Sequence, residues 1–298
     1  MHFFTSFTSA MYEVTGQLLL KSFLTYVPWG KITVHLEGSD ISDLIVDERI
    51  TYVHLDDDPW LQEWLKNNED RIPVNMGGQC TKGLDKWNIK ASKWFRKVVA
   101  IQNQYRNHTK DSEVMIWLDA DLYFIKTVPE HHIRNVLSTN DFVYACGPTR
   151  KVKMGVESGF LIFRKNEKLT HLMDAIKNKF DRSHLIWNEL PRWDDGYVLK
   201  VVLKEETKDN FNAQYHTLKS GAICYDMAPY KKTSMPCNPM TDCPMTPYFV
   251  HAKGFHRSCD VDGMNVLFED DKSKNRRNYV KNSHKAVWKE INKLTLED

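Results

Sequence analysis

The stretch Val114-Met115-Ile116-Trp117-Leu118-Asp119-Ala120-Asp121-Leu122-Tyr123-Phe124 constrains this chain more than any other. An unbroken apolar run of this length reads as a strand buried on both faces, the kind found inside α/β sheets. Carboxylates cannot sit mid-strand in such a setting unless they are paired or bind a cation. The strand is therefore expected to end at Leu118 and to deliver Asp119 and Asp121 to its exit. Open α/β sheets hold their ligands at the carboxyl ends of such strands. Side chains at i and i+2 of an extended segment point the same way, which predicts both carboxylates facing one divalent ion. Hard oxygen ligands suit magnesium or manganese, ions that usually also engage substrate phosphates.

Composition sets the class. At 298 residues the chain is long enough for a large core, and 42% hydrophobic with 27% charged residues is ordinary for a globular protein. Its 41 basic and 39 acidic side chains nearly balance, which gives no reason to invoke nucleic acid or an anionic membrane. No run of about 18 apolar residues occurs, so no transmembrane helix is expected. The opening Met1-His2-Phe3-Phe4-Thr5-Ser6 lacks the basic flank and apolar core of a signal peptide. The six cysteines, at 80, 146, 224, 237, 243 and 259, show no Cys-X-X-Cys spacing, which argues against zinc. Reduced thiols and a cytoplasmic location are the expectation, with Cys237 and Cys243 able to pair only in an oxidising compartment.

Along the chain, residues 3–8 read as a first strand and 11–24 as an amphipathic helix carrying Tyr12, Leu18, Leu19, Leu20 and Phe23. Strand followed directly by helix favours anion binding, but neither Gly-X-Gly-X-X-Gly nor a Walker sequence is present. Residues 31–36 and 50–55 are further strands, the latter running into the acidic cluster Asp56-Asp57-Asp58. The cluster reads as a solvated loop or as a contact to a ribose or metal. A helix over 92–101 places Lys93 and Lys97 one turn apart. Strands follow at 141–147 and 154–164, the second behind a glycine-containing loop, then a helix over 166–180. Asp194-Asp195 opens another helix, where capping and the dipole favour acids. A Pro-rich loop at 235–247 leads to a strand delivering His251, and residues 276–296 read as a basic amphipathic helix.

In motif order, Ile-Trp-Leu-Asp-Ala-Asp-Leu-Tyr-Phe with its companions resembles the Asp-X-Asp glycosyltransferases of the GT-A fold. The resemblance implies a Rossmann-like α/β domain over 1–298, with a mixed, mainly parallel sheet flanked by helices. Its nucleotide-binding half would be 1–125, and 126–298 would hold donor sugar and acceptor. The implied metal ligands are Asp119, Asp121 and His251, holding Mn2+ or Mg2+. Tyr12 would stack on uracil with Thr5 and Phe7 lining the base pocket, and Lys93 or Lys97 would approach the nucleotide or Asp119. Gly159 would lie beside the donor sugar, and Lys253 and Gly254 would meet the diphosphate, although the family's His-X-X-Gly-X-X-Lys spacing is not reproduced. Asp195 is the implied catalytic base, with Asp194 second and Glu157 in reserve. The partners would be a nucleotide sugar, UDP-linked, and a glycan acceptor, with an inverting outcome. Soluble viral and bacterial glycan-building transferases share these features, which places the protein in cytoplasm, the host's if viral. Two other classes remain: an Asp-X-Asp metal phosphohydrolase, and a catalytically dead carbohydrate-binding protein.

Overall fold

A computed structural model describes residues 1–38, 41, 43–69, 91–108, 113–145, 156–186, 189–190, 192–206, 245 and 248–251. A six-stranded sheet carries the described fold. Its strands are β1 (His2–Thr8), β2 (Ile32–Glu37), β3 (Ile50–His54), β4 (Val114–Leu118), β6 (Phe142–Ala145) and β7 (Glu157–Arg164), in the order β3-β2-β1-β4-β7-β6. β3, β2, β1 and β4 run parallel, while β7 is antiparallel to both β4 and β6. A separate pair joins β5 (Leu122–Phe124) to β8 (Phe249–His251). This is the mixed, mainly parallel sheet flanked by helices that the sequence leads one to expect.

The two-residue period of each strand divides the core. Phe3, Phe7, Ile116, Leu118, Phe160 and Ile162 pack on one face with Leu19, Leu20 and Phe23 of the helix α1 (Gln17–Tyr26). Phe4, Met115, Trp117, Leu161 and Phe163 pack on the other, against Val198, Leu199, Val202 and Leu203 of the helix Asp195–Glu206 and against three further helices. Those are α2 (Pro59–Asn67), α3 (Ala91–Asn103) and α5 (Glu167–Asp181), with α4 (Glu130–Leu137) contributing Ile133 to the first face. β4 is buried at all five positions, as its unbroken apolar run requires.

Local chemistry explains the helix boundaries. Asp58 caps α2 by accepting from the Trp60 and Leu61 amides, with Pro59 at the first helical position. Asn166 caps α5 through the Leu169 amide at 3.0 Å. The expected helix over 11–24 departs from ideal geometry. A short α-helical turn at Ser9–Met11 runs into a π-helical turn at Tyr12–Gly16, and α-helix resumes at Gln17. Gly16 packs there against Phe7, whose ring atoms would lie 3.3 Å from a β-carbon. Single π turns of this kind concentrate at functional sites.

Strand order has a direct consequence for ligands. From β1 the chain builds outward through β2 and β3, then returns to place β4 on the other side of β1. The carboxyl ends of β1 and β4 therefore flank a topological switch point, the crevice in which open α/β sheets bind ligands. The sheet continues across residue 125 without interruption, because β7 and β6 extend it from β4. Among the described residues no helix is long and apolar enough to cross a membrane.

Candidate functional site

At the exit of β4, Asp119 continues the alternation that puts Met115 and Trp117 on the α3 side of the sheet. Its Oδ1 accepts from the Trp117 indole nitrogen at 2.8 Å and from the Lys97 ammonium at 2.6 Å. Lys97 is 9% exposed, and its ammonium also meets the Ser158 carbonyl at 2.7 Å and the Ser158 hydroxyl oxygen at 3.1 Å. It lies 3.0 Å from Asp195 Oδ2 and 5.0 Å from the centre of the Trp117 ring. Ser158 donates its hydroxyl proton to Asp195 Oδ2 at 2.5 Å. One buried lysine thus joins three segments remote in sequence: the β4 exit, the start of β7, and the start of helix α6 (Asp195–Glu206).

The electrostatics follow from this packing. Burial by itself would pull the Lys97 ammonium down, but Asp119 and Asp195 outweigh it and hold the group above the ordinary lysine range. Asp194 caps α6, accepting the Tyr197 amide at 3.0 Å, and its other oxygen accepts from Arg192 Nε at 2.7 Å. Burial, then the neighbouring Asp195, raises the Asp194 carboxyl, against the pull of Arg192 and the Tyr197 amide. The α6 terminus is held to β7 by the Val156 amide, which donates to the Gly196 carbonyl at 2.9 Å. A β-carbon at Gly196 would stand 2.5 Å from the Val156 carbonyl oxygen, so only glycine allows this approach.

Several expected roles change. The same-side argument for Asp119 and Asp121 assumed an extended segment. Instead the chain turns, with the Leu122 amide donating to the Asp119 carbonyl at 3.0 Å, so strand alternation does not relate the two carboxylates. Asp121 is 7% exposed. Thr5, Phe7 and Tyr12 are not a cleft surface: all three are fully buried, and the Tyr12 and Phe7 rings pack together at 5.5 Å. The Tyr12 hydroxyl donates to the Asp43 carbonyl and accepts the Ile45 amide, both at 3.0 Å, and Tyr52 donates to the Ile45 carbonyl at 2.7 Å. Tyr12 is a clasp on the 43–45 segment rather than a stacking platform, because its face is already covered. Tyr12→Phe should cost about 1–3 kcal/mol, since it leaves the Ile45 amide and Asp43 carbonyl without their partner. Urea unfolding of the variant measures this directly.

The lysine alternative is resolved geometrically. Lys97 points into the carboxylates, whereas Lys93 is exposed and acts at a distance on Glu37. Two members of the acidic cluster after β3 make contacts within the fold. Asp58 caps α2, and Asp56 accepts the Gly38 amide at 2.5 Å and pairs with Arg96. Gly159 offers its carbonyl to the Asp119 amide at 2.8 Å, placing it beside the acidic turn. Glu157 opens β7, and His251 closes β8 in register with Leu122, one residue from Asp121 along the backbone. Lys253, Gly254, Cys237, Cys243 and the 276–296 segment lie outside the described residues. Sequence reasoning did not single out Ser158 or Trp117. Trp117 is legible in retrospect from its i−2 relation to Asp119, but no local pattern marks Ser158.

Asp119 and Asp121 lie on the turn after β4, and His251 pairs in backbone register with Leu122, the residue after Asp121. Among the described residues no group of three or more His, Cys, Asp or Glu side chains is gathered for a metal ion. The Asp119 carboxylate is paired with the Lys97 ammonium.

No protein-family model matches the chain, and no curated protein matches it. Among solved structures it is similar to the apo form of mouse xyloside xylosyltransferase 1, at 12% identity and a TM-score of 0.42. The alignment covers 75% of this chain and 93% of the mouse chain.

Proposed function

We propose that this chain is a metal-assisted glycosyltransferase that moves a sugar from a nucleotide sugar, UDP-linked, to a hydroxyl group of a glycan acceptor. One observation carries the reading. At the switch point of the sheet, the Asp-X-Asp turn after β4, the Ser158-Gly159 start of β7 and the acidic start of α6 close on a single buried lysine. These are the segments that the GT-A resemblance assigns to metal, donor sugar and base. They meet at the carboxyl end of β4, the side on which open α/β sheets hold their ligands, and this supports the reading.

Asp119 and Asp121, with His251, would hold the divalent ion. When bound, such an ion supplies Lewis-acid stabilisation of the charge that grows on the departing diphosphate. The chain's own residues supply the rest. Asp195 receives the proton of the acceptor hydroxyl as that oxygen attacks the anomeric carbon. Ser158 holds the Asp195 carboxylate in place through its 2.5 Å hydrogen bond. Lys97 balances the charge of both Asp119 and Asp195. Lys97 and Ser158 are buried while Asp119 and Asp195 are partly exposed, so the lowered dielectric around the lysine strengthens its ion pairs and leaves the carboxylates open to ligands.

The test is a thermal-shift and calorimetric screen of nucleotide sugars with manganese or with EDTA, followed by NMR of the product's anomeric centre. The reading requires UDP binding that depends on manganese, and transfer to an acceptor with inverted configuration. Hydrolysis of an aryl phosphate without sugar transfer would instead point to a phosphohydrolase. Sugar binding indifferent to UDP and manganese would point to a carbohydrate-binding protein.

A further inference from the structure

The role of Lys97 is not exhausted by charge balance. Its ammonium sits 2.6 Å from Asp119 Oδ1, on the carboxylate assigned above to a divalent ion. A divalent ion on that carboxylate would stand within a few ångströms of the ammonium, where like charges repel by several kcal/mol even at an effective dielectric of about 20. Lysine carries its charge on a flexible four-carbon stem and can redirect it. Other acceptors are already within reach: the Ser158 carbonyl at 2.7 Å, the Ser158 hydroxyl oxygen at 3.1 Å and Asp195 Oδ2 at 3.0 Å.

We propose that Lys97 is an exchangeable internal cation. It neutralises Asp119 in the metal-free protein and yields that carboxylate to the divalent ion, moving its full charge onto Asp195 and Ser158. Metal occupancy is thereby coupled to the electrostatic setting of Asp195, although the two carboxylates belong to different elements. The lysine acts as a positioning residue, because it communicates between two groups rather than reacting itself. This inference rests on the metal reading of Asp119 and Asp121.

The experiment uses Mn2+ alone as probe and needs no turnover. Calorimetry and water-proton relaxation would follow Mn2+ binding to the parent protein, Lys97→Met, Lys97→Arg and Lys97→Met/Asp195→Asn. The double variant removes a positive and a negative group together, which protects folding if Lys97→Met alone strands two partly buried carboxylates. Lys97→Met should bind Mn2+ at least about tenfold more tightly than the parent, because the competing charge is gone. The double variant should also bind more tightly, whereas Lys97→Arg should stay within about threefold of the parent because it keeps the positive charge. Equal or weaker Mn2+ binding by the folded methionine variants, with the parent still binding, overturns the exchange and leaves the transferase reading standing. A parent protein that binds no Mn2+ overturns both.

Discussion

Asp121→Ala is expected to abolish sugar transfer and to make UDP binding indifferent to manganese. Asp121 is nearly fully buried at the turn beside β5, with Lys97 engaged on the other acidic residue of that turn. The proposed function assigns its carboxylate to the divalent ion. A catalytic metal stabilises the departing charge by several kcal/mol, so losing one of its anionic ligands should lower kcat by at least about a thousandfold. The same loss should remove the difference between UDP isotherms recorded with manganese and with EDTA. UDP binding that keeps its full manganese dependence in Asp121→Ala would end the assignment of this turn to the metal.

Asp195 gives the second large effect, and it separates chemistry from binding. Asp195→Ala should lower kcat by about two to four orders of magnitude, the usual contribution of a positioned base, with little change in UDP affinity. Its Oδ2 atom already accepts from Ser158 and lies 3.0 Å from Lys97, so the alanine variant also disturbs the lysine. Asp195→Asn is the cleaner comparison. It keeps the shape and can still accept the Ser158 hydrogen bond, while removing the proton acceptor. Steady-state kinetics should show both variants equally impaired in kcat. An asparagine variant with near-normal kcat would mean that Asp195 orders the site without taking a proton, and the base would have to be sought elsewhere.

The acidic segments were legible in the sequence because each follows a pattern with local physics behind it. An apolar run must end before two carboxylates, so β4 stops at Leu118. Capping preference announces the acidic pair of α6, where Asp194 does cap and Asp195 is left to face Lys97. The same local rules could not say which lysine of α3 enters the site. Lys93 and Lys97 share a helix face by spacing, and only the packing of Val98, Val99 and Phe95 on the sheet buries the second. Tyr12 shows the opposite error. Its place after β1 suggested a ligand surface, yet the 43–45 segment folds over it, a contact 31 residues away that no local pattern encodes.

By itself the sequence determined the strands of the main sheet, the acidic cap of α6 and the end of β4, because burial periodicity and unpaired backbone groups act over a few neighbouring residues. Tertiary structure alone decided that Lys97, Ser158, Asp119 and Asp195 form one cluster, and that the Asp-Ala-Asp segment turns instead of running extended. Those contacts depend on strand order and helix docking. An ammonium leaves water for a buried position only where several oxygens from separate segments arrive together to meet it.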